Sequence, residues 1–417
     1  MDMVNRVVWF ITTFFILCSG LFFSFRLGFI QLRFVSMFKA MFKGRGSSLS
    51  LLMTSLAGRI GVGSIAGVSL SIYFGGVGSI FWMWVSTILC GVITYVEVVL
   101  GIKYREARGR GFVGGPSYYL RDGLGNSVLG SIFSVLMIVS YIGCFLSIQS
   151  NTIARSLMDV FPFSNWVIGL CIFVVTFFCI SGGFKKIVSV SIKLVPVMTI
   201  IYVGSVLYVL FINFGRIGGV FNDILRGAFN VKSLFSGFIP MVIIGFQRGI
   251  FSNEAGMGTS SIVASSGYDN DYKREGLIQV FGIYITTIVI CTSTALILLM
   301  SDYGSLSLTD VNGIELALYA FKFHFGKLGV YIMLVSVILF SFSTIITGYY
   351  YGESCLLYFF DSVNKRYVYI LRGVALVILF VGCLVSSNFL WNLVDILVGI
   401  MILINLYAMF RLKDKIL

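Results

Sequence analysis

Two stretches of this chain place glycine and charge where an apolar membrane crossing would otherwise be unbroken. "GRIGVGSIAG", residues 58–67, carries Gly58, Gly61, Gly63 and Gly67 with Arg59. "GFQRGIFSNEAGMGTSS", residues 245–261, carries Gly245, Gly249, Gly256 and Gly258 with Arg248, Asn253 and Glu254. A continuous helix satisfies its own backbone and has nothing to offer a ligand. Interrupting it at glycine frees carbonyl oxygens that can hold a cation, and exposes N–H groups at a half-helix N-terminus that suit a carboxylate. These two kinds of group match the two ends of a zwitterion such as a free amino acid. Glycines four apart, as in Gly63 and Gly67, also let helices pack closely, so one such stretch read alone has two explanations.

Further polar side chains lie in apolar surroundings. "LSIQSNTIA" groups Gln149, Ser150, Asn151 and Thr152, which serve either as glue between helices or, through the glutamine amide, as a partner for a substrate's charged ends. "FSFSTIITG" supplies Ser341, Ser343, Thr344 and Thr347, hard oxygens of the kind sodium takes, although such hydroxyls also bond their own helix backbone. A charge near mid-bilayer costs about 2.5–3.5 kcal/mol on insertion scales. Arg248 and Glu254 therefore either neutralise one another, as a structural ion pair, or gate the inner mouth. Arg59 is expected at the cytoplasmic end of its span, its charge snorkelling to water. Glu97, near Lys103, and Asp395, after Trp391, read as structural anchors.

The elements that must position these groups are membrane helices. The 417 residues are 58% hydrophobic and 11% charged, with a mean hydropathy of +0.99, far from the balance of a soluble domain. Runs long enough to cross a bilayer fall at 7–25, 51–74, 79–101, 128–153, 164–182, 187–213, 236–262, 277–300, 327–351, 367–386 and 390–411. That predicts an all-α membrane protein of about eleven spans. The first run reads as a retained helix rather than a cleaved leader, and "FILC" at Cys18 as a chance likeness to a lipid-attachment signal. The eight cysteines show no C-x-x-C spacing and read as packing residues.

The net charge of +13 would suggest nucleic acid in a soluble protein, but the basic residues sit in short loops. With the loop after the first span placed in the cytoplasm, most of the 30 Lys and Arg fall inside, including Lys43, Arg45, Arg105, Arg108, Arg110, Lys185, Lys186, Lys273 and Arg274. Few fall outside, among them Arg216, Arg226, Lys232 and Lys322. This asymmetry puts the N-terminus outside and the C-terminus in the cytoplasm of a multi-pass plasma-membrane protein. The glycine-broken spans are then the second and the seventh, crossing in opposite directions. Two interrupted spans in equivalent places of oppositely oriented halves are the pattern of an inverted-repeat transporter with its site at the breaks.

In chain order, "GVGSIAGV", "GGVGSIFWMWV", "VGGPSYYL", "QSNTIA", "RGIFSNEAGMG", "GLIQVFGIYITTIVICTSTAL", "STIITGYYYGE" and "LWNLVDILVGIM" resemble the motifs of the alanine/glycine:cation symporter family, over most of the chain. The resemblance implies a leucine-transporter-type core of five plus five helices in inverted repeat, preceded by one extra helix. On that scheme residues 1–45 hold the extra helix and a cytoplasmic loop, 46–213 the first half and 214–417 the second. The implied activity is uptake of a small neutral amino acid, alanine or glycine, driven by sodium or, in some members, protons. The implied substrate lining is Gly61, Gly63, Ser64, Ile65, Gln149, Gly249, Ile250, Phe251, Ser252, Asn253 and Thr344. The implied sodium ligands are carbonyls near Gly61 and Ser64 with the hydroxyls of Ser343 and Thr344. Four positions depart from the family pattern: Ser64 for asparagine, Gly348 for an aromatic, Thr286 for aspartate and Ile404 for proline. The first shortens a polar side chain at the break, and the second enlarges the cavity.

Other classes fit less well. A pore would need filter residues repeated by symmetry. An enzyme would need a catalytic set, yet the chain has a single histidine, His324, read as an outer loop residue, and no metal-spaced cluster or implied cofactor beyond the coupling ion. A sensor that has lost transport is the remaining alternative. The expected partners are the amino acid, sodium and lipid, with no nucleic acid.

Overall fold

The computed structural model describes residues 2–42, 47–108, 111–230, 237–302, 313–360, 365–385 and 388–416. Lys43, Arg45, Arg110 and Lys232 of the charge count, and the boundary expected at 45–46, lie outside the described residues. Helices dominate. In order they are α1 (Asp2–Arg26), α2 (Phe34–Phe42), α3 (Ser47–Arg59), α4 (Ala66–Gly75) and α5 (Ser79–Lys103). An antiparallel ribbon, β1 (Glu106–Arg108) with β2 (Gly111–Val113), pairs Glu106 with Val113 and leads into α6 (Pro116–Tyr118). Next come α7 (Ser127–Ile138), α8 (Leu146–Met158), α9 (Asn165–Ser181), α10 (Gly183–Ile212) and α11 (Phe214–Ala228). The remainder are α12 (Ile239–Asn253), α13 (Thr259–Ser265), α14 (Tyr272–Tyr284), α15 (Thr292–Leu299), α16 (Gly313–Phe325), α17 (Lys327–Leu357), α18 (Lys365–Gly382) and α19 (Asn388–Arg411). Wide π-type turns, Val139–Phe145 and Ile285–Cys291, carry α7 into α8 and α14 into α15 without a break.

Seven helices among the described residues are long and apolar enough to cross a bilayer: Met3–Arg26, Ser79–Lys103, Ser127–Met158, Gly183–Ile212, Tyr272–Leu299, Lys327–Leu357 and Phe389–Arg411. A further crossing is broken, Ser48–Arg59 and Val62–Gly75 meeting at 68°. Helix α9 is apolar but shorter, and α18 carries Lys365, Arg366 and Arg372. Val197, Ile200, Leu207 and Phe211 on α10, and Trp166, Leu170, Val174 and Phe178 on α9, lie on the outer surface. Water would penalise such a surface, whereas lipid does not.

The centre belongs to α5, in which every residue from 90 to 102 is buried. It packs on α12, α13, α14 and α1, and small residues set the spacing. A Cβ on Gly245 would lie 2.8 Å from Trp82 Cβ, and one on Gly101 would lie 2.7 Å from Ser261 Cβ. Where hydrophobic burial no longer separates helix from lipid, such close approach supplies the packing that holds helices together.

Candidate functional site

The first interruption runs from residue 60 to 65. Helix α3 ends at Arg59, Gly61 is extended, and a single 3₁₀ turn, Val62–Ser64, precedes α4. Gly61 is required by proximity, because a Cβ there would collide with Thr344 Oγ1 of α17 and stand 3.3 Å from Gln149 Nε2 of α8. Gly63 is crowded more mildly by Phe251, whose Cδ1 would be 3.1 Å from an added Cβ.

The last carbonyls of α3 have no partner within their own helix. Thr344 Oγ1 lies 3.1 Å from Gly58 O and 3.4 Å from Ala57 O, and Ser343 Oγ lies 3.5 Å from Ile60 O. Hydroxyls and peptide carbonyls there form a neutral set of hard oxygens, the chemistry a sodium ion prefers. The Ser64 carbonyl is not part of this group. It turns away and accepts from Thr294 Oγ1 of α15 at 2.8 Å. The carbonyls that α17 meets are thus Ala57, Gly58 and Ile60, upstream of the expected pair, because the helix still turns towards α17 until Arg59. Gln149 Oε1 accepts from Val62 N at 3.4 Å, which ties α8 to the break.

The second interruption spans residues 254–258. Glu254 takes a left-handed conformation, φ 56°, followed by Gly256 and Gly258 at φ 77° and 87°. Only glycine adopts this region freely, and an acidic residue held there carries strain of about 1 kcal/mol or more. Tyr141 OH donates to Glu254 Oε1 at 2.8 Å and Tyr351 OH to Oε2 at 3.3 Å. Glu97 of α5 accepts from Gly258 N and from Asn405 Nδ2, each at 3.2 Å, and that same Nδ2 donates to Gly256 O at 2.8 Å. Asn253 Oδ1 accepts from Ala255 N at 3.0 Å while its Nδ2 reaches Thr287 Oγ1 at 3.2 Å.

The first interruption meets the last turn of α12, just ahead of the second. Ser64 Oγ and Ser252 Oγ share a hydrogen bond of 2.8 Å, and Phe251 lies against Gly63. Phe251 stacks on Phe145 at 5.0 Å between ring centres and against Trp391 at 5.3 Å, an aromatic wall beside the contact. Gly61, Gly63, Ser64, Gln149, Phe251, Ser252, Ser343 and Thr344 are therefore neighbours. Ile65 and Ile250 are fully buried beside them. Gly249 faces elsewhere: with Gly245 it lies inside an unbroken α12, and its missing side chain makes room for Ser86 and Met83 of α5. Within the expected segment 245–261 the break therefore falls at the later pair of glycines, Gly256 and Gly258.

The buried charges are paired differently from expectation. Arg248 binds Asp395 at 3.2 Å, not Glu254; Gln247 Nε2 donates to the same carboxylate at 2.9 Å, and Trp9 Nε1 donates to the Asp395 carbonyl at 3.1 Å. Arg59 does not snorkel. It is 2% exposed and reaches across to α13 and α14, donating to Ser260 Oγ at 2.5 Å and to Gln279 Oε1 at 3.2 Å. Glu97 serves the second break rather than Lys103. Residue patterns did not single out Asn405, Tyr141, Tyr351 or Thr294; a lone amide in "LINLYAMF" and the tyrosine run in "GYYYGE" were the available signals.

Seven long apolar helices among the described residues, an eighth crossing broken at residues 60–65 and a lipid-suited outer surface make this a multi-pass membrane protein. The whole chain, residues 1–417, matches the sodium:alanine symporter family, and it belongs to that family. It is 37% identical to the amino-acid carrier protein AlsT of Bacillus subtilis over 402 residues, 95% of this chain and 85% of that protein. It is 33% identical to the sodium/alanine symporter AgcS of Methanococcus maripaludis over 419 residues, 96% of this chain and 91% of the relative. Among solved structures, a manganese transporter of Eremococcus coleocola shares the fold with a TM-score of 0.57 at 14% identity, over 86% of this chain and 76% of that one.

Proposed function

We propose that this chain is a secondary active symporter that couples inward sodium movement to uptake of alanine or glycine. The observation that carries the reading is the contact of the first interruption, at Ser64, with Ser252 in the last turn of α12 before the second, with α17 hydroxyls set against the end carbonyls of α3. Sodium binds among the carbonyls of Ala57, Gly58 and Ile60 and the hydroxyls of Ser343 and Thr344, beside Gly61, and draws the first break onto α17. The zwitterion then spans the breaks, lined by Gly61, Gly63, Ser64, Ile65, Gln149, Phe251, Ser252, Asn253 and Thr344, with Gly249 and Ile250 behind them. The crowding of Gly61 and Gly63, together with the Phe145–Phe251–Trp391 wall, favours a side chain no larger than a methyl group.

The architecture supports alternating access. Adding α9, α18, α3 with α4, and α12 with α13 to the seven long helices gives eleven crossings, of which the second and seventh are interrupted. We assign residues 1–45 to an extra helix and loop, 46–213 and 214–417 to two oppositely oriented halves, and the N-terminus to the outside. One charge moving through about 100 mV contributes about 2.3 kcal/mol. A tenfold sodium gradient adds about 1.4 kcal/mol, enough together for roughly 500-fold accumulation. Uptake of labelled alanine into proteoliposomes with and without a sodium gradient tests the reading. Accumulation only with the gradient is expected; a proton gradient that replaces sodium, equilibration without any gradient, or binding without uptake would overturn it.

A further inference from the structure

We propose that a cavity on the α4 side of the first interruption is a second amino-acid site, where a free zwitterion is captured before it passes to the breaks. The inference rests on the amino-acid reading above. The cavity has a volume of about 190 Å³ and reaches from Val62 and Trp391 to Arg155, Asp159 and Glu315. By the volume that water occupies in the liquid, it has room for about six waters, the number of non-hydrogen atoms in alanine.

Its walls carry both signs of charge, held apart. Among the described residues Arg155, Asp159 and Glu315 make no ion pair and no side-chain hydrogen bond, either with one another or with any neighbour. Oppositely charged groups that line one cavity without closing on each other leave a site for a ligand bearing both charges. Asp159 and Glu315 stand exposed at the mouth; partial burial raises both above the ordinary carboxylate value, Asp159 adds to the effect on Glu315, and Arg155 opposes it on each, so the field at the mouth carries both signs. Ser156 adds a second mark of an absent partner: its hydroxyl lines the cavity, is more than nine-tenths buried and has no hydrogen-bond partner.

The cavity leads to the breaks. On α8, Gln149, Thr152, Ser156 and, at its end, Asp159 follow one another at intervals of three or four residues, so they form a polar stripe along one face. At 1.5 Å per residue the stripe runs about 15 Å from the mouth to the amide that holds Val62 N. The opposite wall is fixed as well, since Gly313 abuts Ala66 so closely that a Cβ would sit 2.8 Å from Ala66 Cα, which sets the position of Glu315. The amino acid lies with its ammonium towards Asp159 and Glu315 and its carboxylate towards Arg155.

The test is the initial rate of labelled alanine uptake by the full chain in proteoliposomes under a fixed sodium gradient, over a range of alanine concentrations. D159N combined with E315Q is expected to raise the alanine KM about five- to tenfold with the effect confined to KM, because charges at a rim act on association and its salt dependence. R155Q should do the same, and R155K should recover part of the loss. In the wild type, KM should rise as choline chloride is added; in the double variant this salt effect should shrink. An unchanged alanine KM in both D159N/E315Q and R155Q would overturn the capture site while the symporter reading stands. So would a change confined to the sodium dependence, which would mark the cavity as a cation funnel. Failure of the wild type to accumulate alanine would instead sink the symporter reading.

Discussion

The two interruptions use glycine for different reasons. In the first, Gly61 and Gly63 have ordinary backbone angles, and their missing side chains let Thr344, Gln149 and Phe251 come close. In the second, Gly256 and Gly258 are needed for left-handed backbone. The surroundings differ too: neutral hydroxyls and an amide meet the first break, whereas the carboxylates of Glu97 and Glu254 and two tyrosines grip the second. A neutral oxygen cluster can exchange its hydrogen bonds for a cation at little cost, but a buried carboxylate that loses its donors pays heavily. The first break is thus suited to bind and let go, and the second to stay as it is.

The contrast breaks most visibly at Glu97. E97A leaves Gly258 N–H without its acceptor in the core and takes one of two acceptors from Asn405 Nδ2, and should cost about 2 kcal/mol, read as a fall in Tm in detergent. E97Q keeps one oxygen for both donors and should recover most of that loss; equal damage from both variants would mean that the charge, not the hydrogen bonds, holds the break. At the first break T344A should raise half-saturating sodium about tenfold, equivalent to about 1.4 kcal/mol, with little change in Tm. A wild-type sodium response would remove Thr344 from the ion's coordination. A smaller effect sharpens the meeting point: a double-mutant cycle on S64A and S252A should give a coupling of about 1 kcal/mol in stability or alanine affinity, and zero coupling would separate the two breaks.

The smallest expected effect lies away from both. His324 sits on α16, not in a loop, with Nε2 3.1 Å from Ile297 O, and burial holds it below the ordinary histidine value. Its neutral form therefore contributes stability that is complete above the unfolded value of about 6.5 and is lost as pH falls through the folded one. Because the ring is half exposed, the loss should be less than about 1 kcal/mol. Tm measured from pH 8 to 5 should fall slightly more steeply for the wild type than for H324N.

How much of this was legible varies with the range of the interaction concerned. The crossings were readable because hydropathy is a local property, and the first break because its glycines lie at the interruption itself. The second break falls inside the expected segment 245–261, but its place there was not legible, because Gly245 and Gly249 look, in one dimension, like Gly256 and Gly258. Only the closeness of α5 distinguishes a glycine that lets a neighbour in from one that turns the backbone. Arg248 and Glu254, six residues apart, invited a pairing, but Arg248 finds Asp395 in the last helix and Glu254 finds two tyrosines from α17 and the turn before α8. Arg59 is expected at a water boundary because a lone arginine in an apolar run usually escapes to one; here Ser260 and Gln279 hold its two terminal nitrogens inside.

From its residues alone the chain declared a lipid-embedded helical protein with crossings that glycine interrupts, since the order of apolar runs and the demands of an unsatisfied backbone act along the chain. Which carbonyls face α17, where the second interruption falls, and which acid serves which donor were decided by packing. Those choices depend on contacts between residues tens to hundreds of positions apart, and they are made only when the helices close around α5.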